Sequence, residues 1–337
     1  MAKRKLNRRQ AWRIRKIQEE RCARAGRKTQ ALHARLGDSA PGPEQSGLLI
    51  ANFGASVLVE GGDAPPCRCL LRQNLEPLVV GDRVVWQAGP NNTGVVVARS
   101  PRQTLLARPD ADGTLRPLAA NIDQILVVIA PEPPYSTDLI DQYLVAAEQT
   151  GIPPVVVLNK VDLLEERARR QVERELHRYE TLGYPVLYAS THADHGLEAL
   201  HAALCDRISV FVGQSGVGKS SLINTLLPAA DARVGALSEQ SGFGRHTTST
   251  ARLYHLPGGG ALIDSPGVRD FRLWDMTPEE IAEGFVELRP YLGHCRFRDC
   301  RHTVEPGCAL REAAAAGRIE PERLASYHRI VATLARG

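Results

Sequence analysis

One octapeptide, Gly213-Gln214-Ser215-Gly216-Val217-Gly218-Lys219-Ser220, constrains the fold of this chain more than any other segment. It fits G-x-x-x-x-G-K-[ST], follows the apolar run Ile208 to Val212, and precedes a helical pattern that starts at Lys219. A buried strand, a tight turn and a helix N-terminus in direct succession belong to an α/β sheet. Glycine lets backbone N–H groups close around phosphate oxygens without Cβ clashes, and the helix N-terminus adds positive potential. Lys219 then reaches the β- and γ-phosphates of a nucleotide, and the Ser220 hydroxyl binds magnesium. Nucleotide contacts are expected from Gly213 through Ser221. The chain has 29 Gly, six Lys and 30 Ser+Thr in 337 residues. On that composition chance matches number roughly 0.004, so the motif is no accident.

Beyond residue 28 the chain keeps just two lysines, Lys160 and Lys219, although arginine is plentiful there. A chain that uses Arg wherever any cation serves retains Lys where a compact ammonium on a flexible stem is required. Lys160 lies in Asn159-Lys160-Val161-Asp162, directly after the apolar run Pro154 to Leu158. This is N-K-x-D, the base-reading sequence of guanine-nucleotide proteins. Asp162 is expected to accept hydrogen bonds from guanine N1–H and the exocyclic amine. Adenine presents no matching donors at that edge and would leave the carboxylate without partners. Ala189-Ser190 ends the next strand, and its backbone is expected at the guanine carbonyl oxygen.

Four segments follow from pattern and charge. Residues 1–40 form a basic arm: residues 1–37 carry 13 Lys+Arg against two Glu, while the other 300 residues sum to −7. A basic arm on an acidic body marks contact with a polyanion, read here as RNA. Residues 41–108 contain short strand-like runs broken by Gly61-Gly62-Asp63, Gly81-Asp82 and Asn91-Asn92-Thr93-Gly94. About five strands in some 60 residues predict a small OB-like β-barrel. Residues 109–275 alternate apolar strands with helices, which predicts a parallel α/β sheet. Thr137 is read as the N-cap of its first helix, and Gly196 to Cys205 as its third. Residues 276–337 read helix, Cys/His cluster, helix, opened by the capping box Thr277-Pro278-Glu279-Glu280.

Composition excludes several classes. Hydrophobic residues make up 43%, enough for ordinary cores, so wholesale disorder and coiled coil are ruled out. No apolar run approaches the ~18 residues of a membrane span. The basic start lacks a signal peptide's apolar stretch and has no Ser before Ser39, which argues against a transit peptide. A cytoplasmic monomer is expected, with its seven cysteines reduced and neither membrane nor DNA as a partner.

Asp264-Ser265-Pro266-Gly267 follows the strand Ala261 to Ile263 and fits D-x-P-G. There Asp264 is expected to hold magnesium through water, and the Gly267 N–H to sense the γ-phosphate. Between the two motifs lies Gly242-Phe243-Gly244-Arg245-His246-Thr247-Thr248, a candidate first switch in which Thr247 or Thr248 bonds magnesium. In ordinary GTPases the phosphate loop comes first and N-K-x-D later. Here the order is reversed, which reads as a circularly permuted P-loop GTPase domain. Such a cut is allowed because domain termini often lie close together.

NKVD, GQSGVGKS, GRHTT and DSPG in that order resemble the RsgA/YjeQ family, circularly permuted GTPases that assist late maturation of the small ribosomal subunit. The resemblance runs from about residue 45 to the end; Ser249 stands where the family has a third Thr, and the long basic arm is less typical. It implies a barrel, a permuted GTPase domain and a C-terminal helical zinc-binding module. It further implies binding to the small (30S) subunit and its rRNA, and ribosome-stimulated hydrolysis of GTP to GDP and phosphate. The alternative is an RNA-binding protein that uses GTP as a conformational switch ligand in translation or RNA transport.

Cys295-x₄-Cys300-x-His302-x₅-Cys308 places four soft ligands within fourteen residues. Cys₃His suits one tetrahedral structural zinc per chain, and the short Cys300-x-His302 spacing matches the family. His294 is an alternative fourth ligand, although the family uses the later His. Cys67-x-Cys69 reads as packing or surface, and Cys22 and Cys205 as incidental. Val268 follows D-x-P-G where many GTPases carry a water-orienting glutamine. Valine cannot orient water, so another group must complete the site. His246, beside the switch threonines, is the internal candidate, which makes the catalytic set His246, Lys219, Thr247, Thr248, Asp264 and Gly267.

Overall fold

The computed structural model describes residues 42–62, 64–72, 75–109, 114–227, 251–265 and 276–334. The chain forms two compact units. One ends at Pro101 and omits Val79–Gly81; the other holds those three residues and everything from Arg102 on. The basic arm lies outside the described residues.

The first unit is a closed barrel of β1 (Glu44–Asn52), β2 (Ser56–Glu60), β3 (Cys67–Leu71), β4 (Arg83–Ala88) and β5 (Thr93–Arg99). Neighbours run β1-β2-β3-β5-β4 and back to β1, antiparallel except for β3 beside β5. The length of β1 closes it: Glu44–Leu48 pair with β4 and Leu48–Asn52 with β2. Alternation sends Leu49, Val57, Val59, Val84, Trp86 and Val96 inward. Trp86 is the bulkiest of these, and the backbone makes room for it. A Cβ on Gly47 would stand 2.8 Å from Trp86 Nε1 and 2.5 Å from Val59 Cγ1, so only glycine lets β1 pass that close. Cys67 and Cys69 are buried on β3 and are packing residues of the barrel.

The second unit contains a hairpin, β6 (Leu105–Pro109) and β7 (Leu115–Ala120), and a sheet. The sheet comprises β8 (Gln124–Ile129), β9 (Pro154–Leu158), β10 (Val186–Tyr188), β11 (Ile208–Val212), β12 (Arg252–His255) and β13 (Ala261–Asp264). Their spatial order is β10-β9-β8-β11-β13-β12; β12 runs antiparallel to β13 and the other neighbours are parallel. Started at β11, a chain would visit β11, β12, β13, β8, β9 and β10. Joining its ends and cutting before β8 gives the observed protein, as the motif order requires. The sheet is flanked by α1 (Thr137–Thr150), α2 (Glu166–Thr181), α3 (Glu198–Leu204) and α4 (Lys219–Leu226). The new join, Cys205-Asp206-Arg207, links α3 to β11 and turns at Asp206 with φ 56°. Gln124 pins it, donating from Nε2 to Ala203 O at 2.8 Å and to Ser209 Oγ at 2.9 Å.

Side-chain alternation explains the layering. Leu126 and Val128 meet Leu200, Leu204, Leu222 and Leu226 of α3 and α4. Ile129, Val156 and Leu158 meet Ile140, Leu144, Leu176 and Tyr179 of α1 and α2. With helices on both faces, β8 and β9 are buried at every position, which is why their sequences read as continuous apolar runs. The N-cap of α1 is Ser136, whose hydroxyl accepts from the Leu139 N–H at 3.2 Å; Thr137, expected in that role, is the first helical residue. Both types cap well, and the extended backbone at Ser136 decides between them. No described helix is long and apolar enough to cross a membrane.

The C-terminal helices are α5 (Pro278–Gly284), α6 (Ala309–Ala315) and α7 (Pro321–Leu334). Both bonds of the expected capping box open α5, Glu280 N to Thr277 Oγ1 at 3.2 Å and Thr277 N to Glu280 Oε2 at 2.8 Å. Their core of Phe285, Leu288, Leu310, Ile319, Tyr327 and Ile330 takes in Val145 of α1. Asp138, Asp141, Val145 and Glu148 line one stripe of α1 at helical spacing. They meet, in turn, Arg329 at 2.7 Å, Arg323, Gly284 and Arg289 at 2.6 Å. Arg323 is 2% exposed, bonds both Asp141 and Glu287, and lies 4.5 Å from the Phe285 ring centroid. Burial pushes the Asp141 carboxyl up; in Arg323 burial opposes the charge, and the two carboxylates outweigh it. Removing the cation would strand the buried Asp141 and, beside it, the partly buried Glu287. Arg323→Ala is therefore expected to lower unfolding free energy by about 3–5 kcal/mol, read by urea denaturation. A loss under about 1 kcal/mol would mean the cluster is hydrated, not buried.

Candidate nucleotide site and metal centre

The nucleotide motifs lie at the C-terminal ends of parallel strands: Asn159 after β9, Ala189 after β10, Gly213 after β11, and Asp264 ending β13. That edge is where open α/β sheets bind ligands, because loops and helix N-termini converge there. The phosphate loop needs its glycines for close approach. Gly213 has φ 142°, and a Cβ on it would stand 2.2 Å from Val128 O. Gly218 has φ 94°, and a Cβ would strike Asn159 Nδ2 at 2.3 Å. Val217 is buried in the apolar core beneath the loop, while Ser215, Ser220 and Ser221 are exposed.

The base-reading loop is stitched to the phosphate loop. Asn159, buried, donates from Nδ2 to Val217 O at 2.9 Å. Lys160, with φ 61°, donates from Nζ to Gly216 O at 2.7 Å and Glu132 O at 2.8 Å. Lys219 donates from Nζ to Gly213 O at 2.7 Å and Gln214 O at 2.8 Å. Each retained lysine thus bridges two backbone carbonyls with one small cation, a geometry that a planar guanidinium does not reproduce. Gln214 Nε2 reaches Pro133 O and Pro134 O at 3.3 and 3.2 Å, which ties the loop to the segment that leads into α1.

Asp162 is exposed, and its Oδ1 accepts from Ser190 Oγ at 2.5 Å. Ser190 is 1% exposed, and its oxygen accepts from the N–H groups of His192 and Ala193 at 3.0 and 3.2 Å. The two N–H donors leave the hydroxyl proton for Asp162, so the serine orients the carboxylate. Sequence reading gave Ala189-Ser190 a backbone role and missed this one. The available signal was a serine just past a strand end, whose hydroxyl must find a partner once it is buried. Ala189 O accepts from the Val161 N–H at 3.2 Å, which joins the two base-side loops. Asp264 pairs in register with Arg252 across β12 and β13. His246, Thr247, Thr248, Gly267 and Val268 lie outside the described residues.

In the C-terminal helices the ligand atoms of Cys295, Cys300, His302 and Cys308 all lie within 4.8 Å of one another. His302 Nδ1 is 3.5 Å from Cys295 Sγ and 3.4 Å from Cys308 Sγ, and those sulfurs are 4.0 Å apart. Surrounding groups fit a cation. Burial lowers the His302 ring from its ordinary value, against the nearby Glu305, which favours the neutral form a ligand needs. The Ala309 N–H points at Cys295 Sγ at 3.3 Å, and His328 Nε2 donates to His302 O at 2.8 Å. Desolvation first, then the neighbouring thiols, push Cys300 up to about 12, against a backbone bond to His302. Three crowded thiols resist ionising together, and a dication reverses that. The cluster can hold a metal ion; His294 is not part of it.

The G-x-x-x-x-G-K-S and N-K-x-D motifs at the strand ends, with the strand order β10-β9-β8-β11-β13-β12, define a circularly permuted P-loop GTPase with a barrel before it and a helical module after it. The family profile described as RsgA GTPase matches residues 99–274. The small ribosomal subunit biogenesis GTPase RsgA of Azotobacter vinelandii is 56% identical over 338 residues, 99% of this chain and 98% of that protein. YjeQ from Thermotoga maritima, a crystal structure, matches with TM-score 0.71 at 33% identity over 87% of this chain and 99% of that one. A second crystal structure, YloQ, a circularly permuted GTPase, gives 0.69 at 27% identity over 87% and 96%. The chain belongs to the RsgA GTPase family. The fold class expected from the sequence is borne out.

Proposed function

We propose that this protein hydrolyses GTP to GDP and phosphate while bound to the small (30S) ribosomal subunit, and that it assists the subunit's late maturation. One arrangement carries the nucleotide half: Lys160 and Lys219 clamp a single loop, beside an Asp162 that Ser190 orients. Asn159, Lys160, Val161, Asp162, Ala189 and Ser190 read guanine, and Gly213 through Ser221 hold the phosphates. Magnesium, held with GTP by Ser220, Asp264 and Thr247 or Thr248, supplies charge neutralisation at the β- and γ-oxygens. Lys219 stabilises the charge that develops there, Gly267 senses the γ-phosphate, and His246 completes the site. The ribosomal half rests on family membership and on the basic arm, whose 13 cations suit rRNA. The four segments 1–40, 41–108, 109–275 and 276–337 divide that work in a cytoplasmic monomer, and DNA has no part in it.

The metal of Cys295, Cys300, His302 and Cys308 is structural zinc in this reading. A tetrahedral zinc with bonds of ~2.3 Å to sulfur and ~2.05 Å to nitrogen needs S···S near ~3.8 Å and S···N near ~3.6 Å. The spacings of 4.0, 3.5 and 3.4 Å support it. Elemental analysis is expected to give one zinc per chain. Cys300→Ser should lose the metal and expose the C-terminal module to protease, because metal binding contributes to the module's folding. A metal-free, fully folded native protein would remove the site.

Sedimentation tests the ribosomal half. With a non-hydrolysable GTP analogue, the protein should pellet with immature small subunits in preference to mature ones. Equal recovery with both, or with neither, would favour the alternative, an RNA-binding protein switched by GTP in translation or RNA transport.

A further inference from the structure

The phosphate loop has a neighbour that its motif does not account for. Pro131-Glu132-Pro133-Pro134 leads from β8 into α1. Three prolines in four residues fix φ, so the segment is a stiff strap. Its carbonyl oxygens face the loop. Gln214 Nε2 stands 3.3 Å from Pro133 O and 3.2 Å from Pro134 O. Lys160 Nζ links Glu132 O at 2.8 Å to Gly216 O at 2.7 Å. Gly216 itself lies against the strap: its φ is 88°, and a Cβ on it would come within 3.3 Å of Pro133 Cδ. Both partners of Gln214 are carbonyl oxygens, so its amide must turn the NH₂ group toward them.

The G-x-x-x-x-G-K-[ST] pattern leaves position 214 open, so phosphate binding does not require glutamine there. What the residue does is join two things. Its backbone oxygen accepts from Lys219 Nζ at 2.8 Å, while its side chain reaches the strap. The far end of the strap is anchored in turn. Tyr135 packs into the core shared by α1 and α2. Asp138, four residues past Pro134 in the first turn of α1, accepts from Arg329 Nε and Nη2 of α7 at 2.8 and 2.7 Å. The start of α1 is therefore held from the phosphate loop on one side and from α7 on the other. A displacement of that helix end reaches the loop through a few short, stiff links, and phosphoryl transfer is sensitive to misplacement of about 1 Å.

We propose that Gln214 is a positioning residue for GTP hydrolysis: it fixes the phosphate loop to the Pro131–Pro134 strap, and through the strap the seating of α7 on α1 sets the loop's place. The proposal rests on the nucleotide-site reading above and adds to it a residue that acts through position, not through contact with the phosphates.

The test is a double-mutant cycle on the full-length, metal-loaded chain: unaltered, Gln214→Met, Arg329→Gln, and both together. Methionine keeps the length of glutamine and removes its N–H donors. Single-turnover hydrolysis gives the rate, and titration of a fluorescent GTP analogue gives the affinity. Gln214→Met should slow hydrolysis about tenfold while affinity changes less than about twofold, because the loop still binds but no longer holds its place. Arg329→Gln, outside every nucleotide motif, should slow it about threefold, and the double variant should be no slower than Gln214→Met alone, since residues that act through one link do not add. Hydrogen exchange supplies a reading independent of turnover. A non-hydrolysable GTP analogue should slow exchange of the α1 amides in the unaltered chain and leave them unchanged in Gln214→Met. Circular dichroism and metal content equal to those of the unaltered chain exclude a folding defect. Full-rate hydrolysis by Arg329→Gln, rate losses that multiply in the double variant, or an affinity loss in Gln214→Met as large as its rate loss overturns the proposal. Lys219→Ala is the separate control for the site: undiminished GTP binding by that variant would sink the nucleotide-site reading, whereas a multiplying cycle sinks only the role of Gln214.

Discussion

Asp162→Asn is expected to weaken GTP binding on the order of 10³-fold and to move preference toward xanthosine nucleotides. In the proposed site the carboxylate would accept two hydrogen bonds from guanine, each charge-assisted and worth about 1.5–3 kcal/mol, so losing both would account for a factor of that size. An amide presents N–H donors to guanine's own donors, whereas xanthine carries a carbonyl where guanine has its amine. Titration of fluorescent GTP and XTP analogues reads both changes. Ser190→Ala separates orientation from chemistry. It removes the 2.5 Å bond to Asp162 Oδ1 but leaves the acceptor, so it should cost GTP affinity about tenfold without creating any preference for XTP. Unchanged GTP affinity in Asp162→Asn would take this residue out of the base site.

The contrast between these two residues shows what the sequence could tell. Asp162 is legible because N-K-x-D is contiguous and its chemistry is stereotyped. Ser190 acts through a side chain 28 positions away, and a serine just past a strand end is a signal too common to single it out. Lys160 is a middle case: its identity in an Arg-rich chain pointed to the site, but the carbonyls it bridges are 28 and 56 residues away. The barrel was legible from its turns, yet β3 was not. It is five residues long, carries an exposed arginine at its second position, and its cysteines read as packing or surface with no strand pattern around them. The hairpin β6–β7 escaped because Pro109 and Pro117 lie in its strands, and proline argues against a strand when only sequence is in hand. The buried Arg323 is the plainest limit. On an amphipathic helix an arginine reads as solvent-facing, and its burial comes from an aspartate 182 residues earlier.

GTP hydrolysis by the isolated protein is expected to be slow, and small ribosomal subunits are expected to accelerate it ~10³-fold or more, as completion of a phosphoryl-transfer site can. A valine side chain cannot hydrogen-bond an attacking water, so on the proposed reading Val268 leaves the site incomplete until another group orders it. The permutation supplies a route for its completion. The C-terminal module holds α1 through Asp138, Asp141, Val145 and Glu148, and the segment leading into α1 gives Glu132 O to Lys160 and Pro133 O and Pro134 O to Gln214. A subunit that grips the module therefore bears on the phosphate loop. Two variants divide the process. Deleting residues 1–37 removes 13 cations, so it should weaken subunit binding and flatten its salt dependence while leaving subunit-free turnover unchanged. His246→Ala should do the reverse, sparing subunit binding and reducing stimulated turnover. Single-turnover phosphate release, measured with and without subunits across a salt series, reads these outcomes. Fast release by the isolated protein with no gain from subunits would make the GTPase self-sufficient, and the arm would then serve localisation alone.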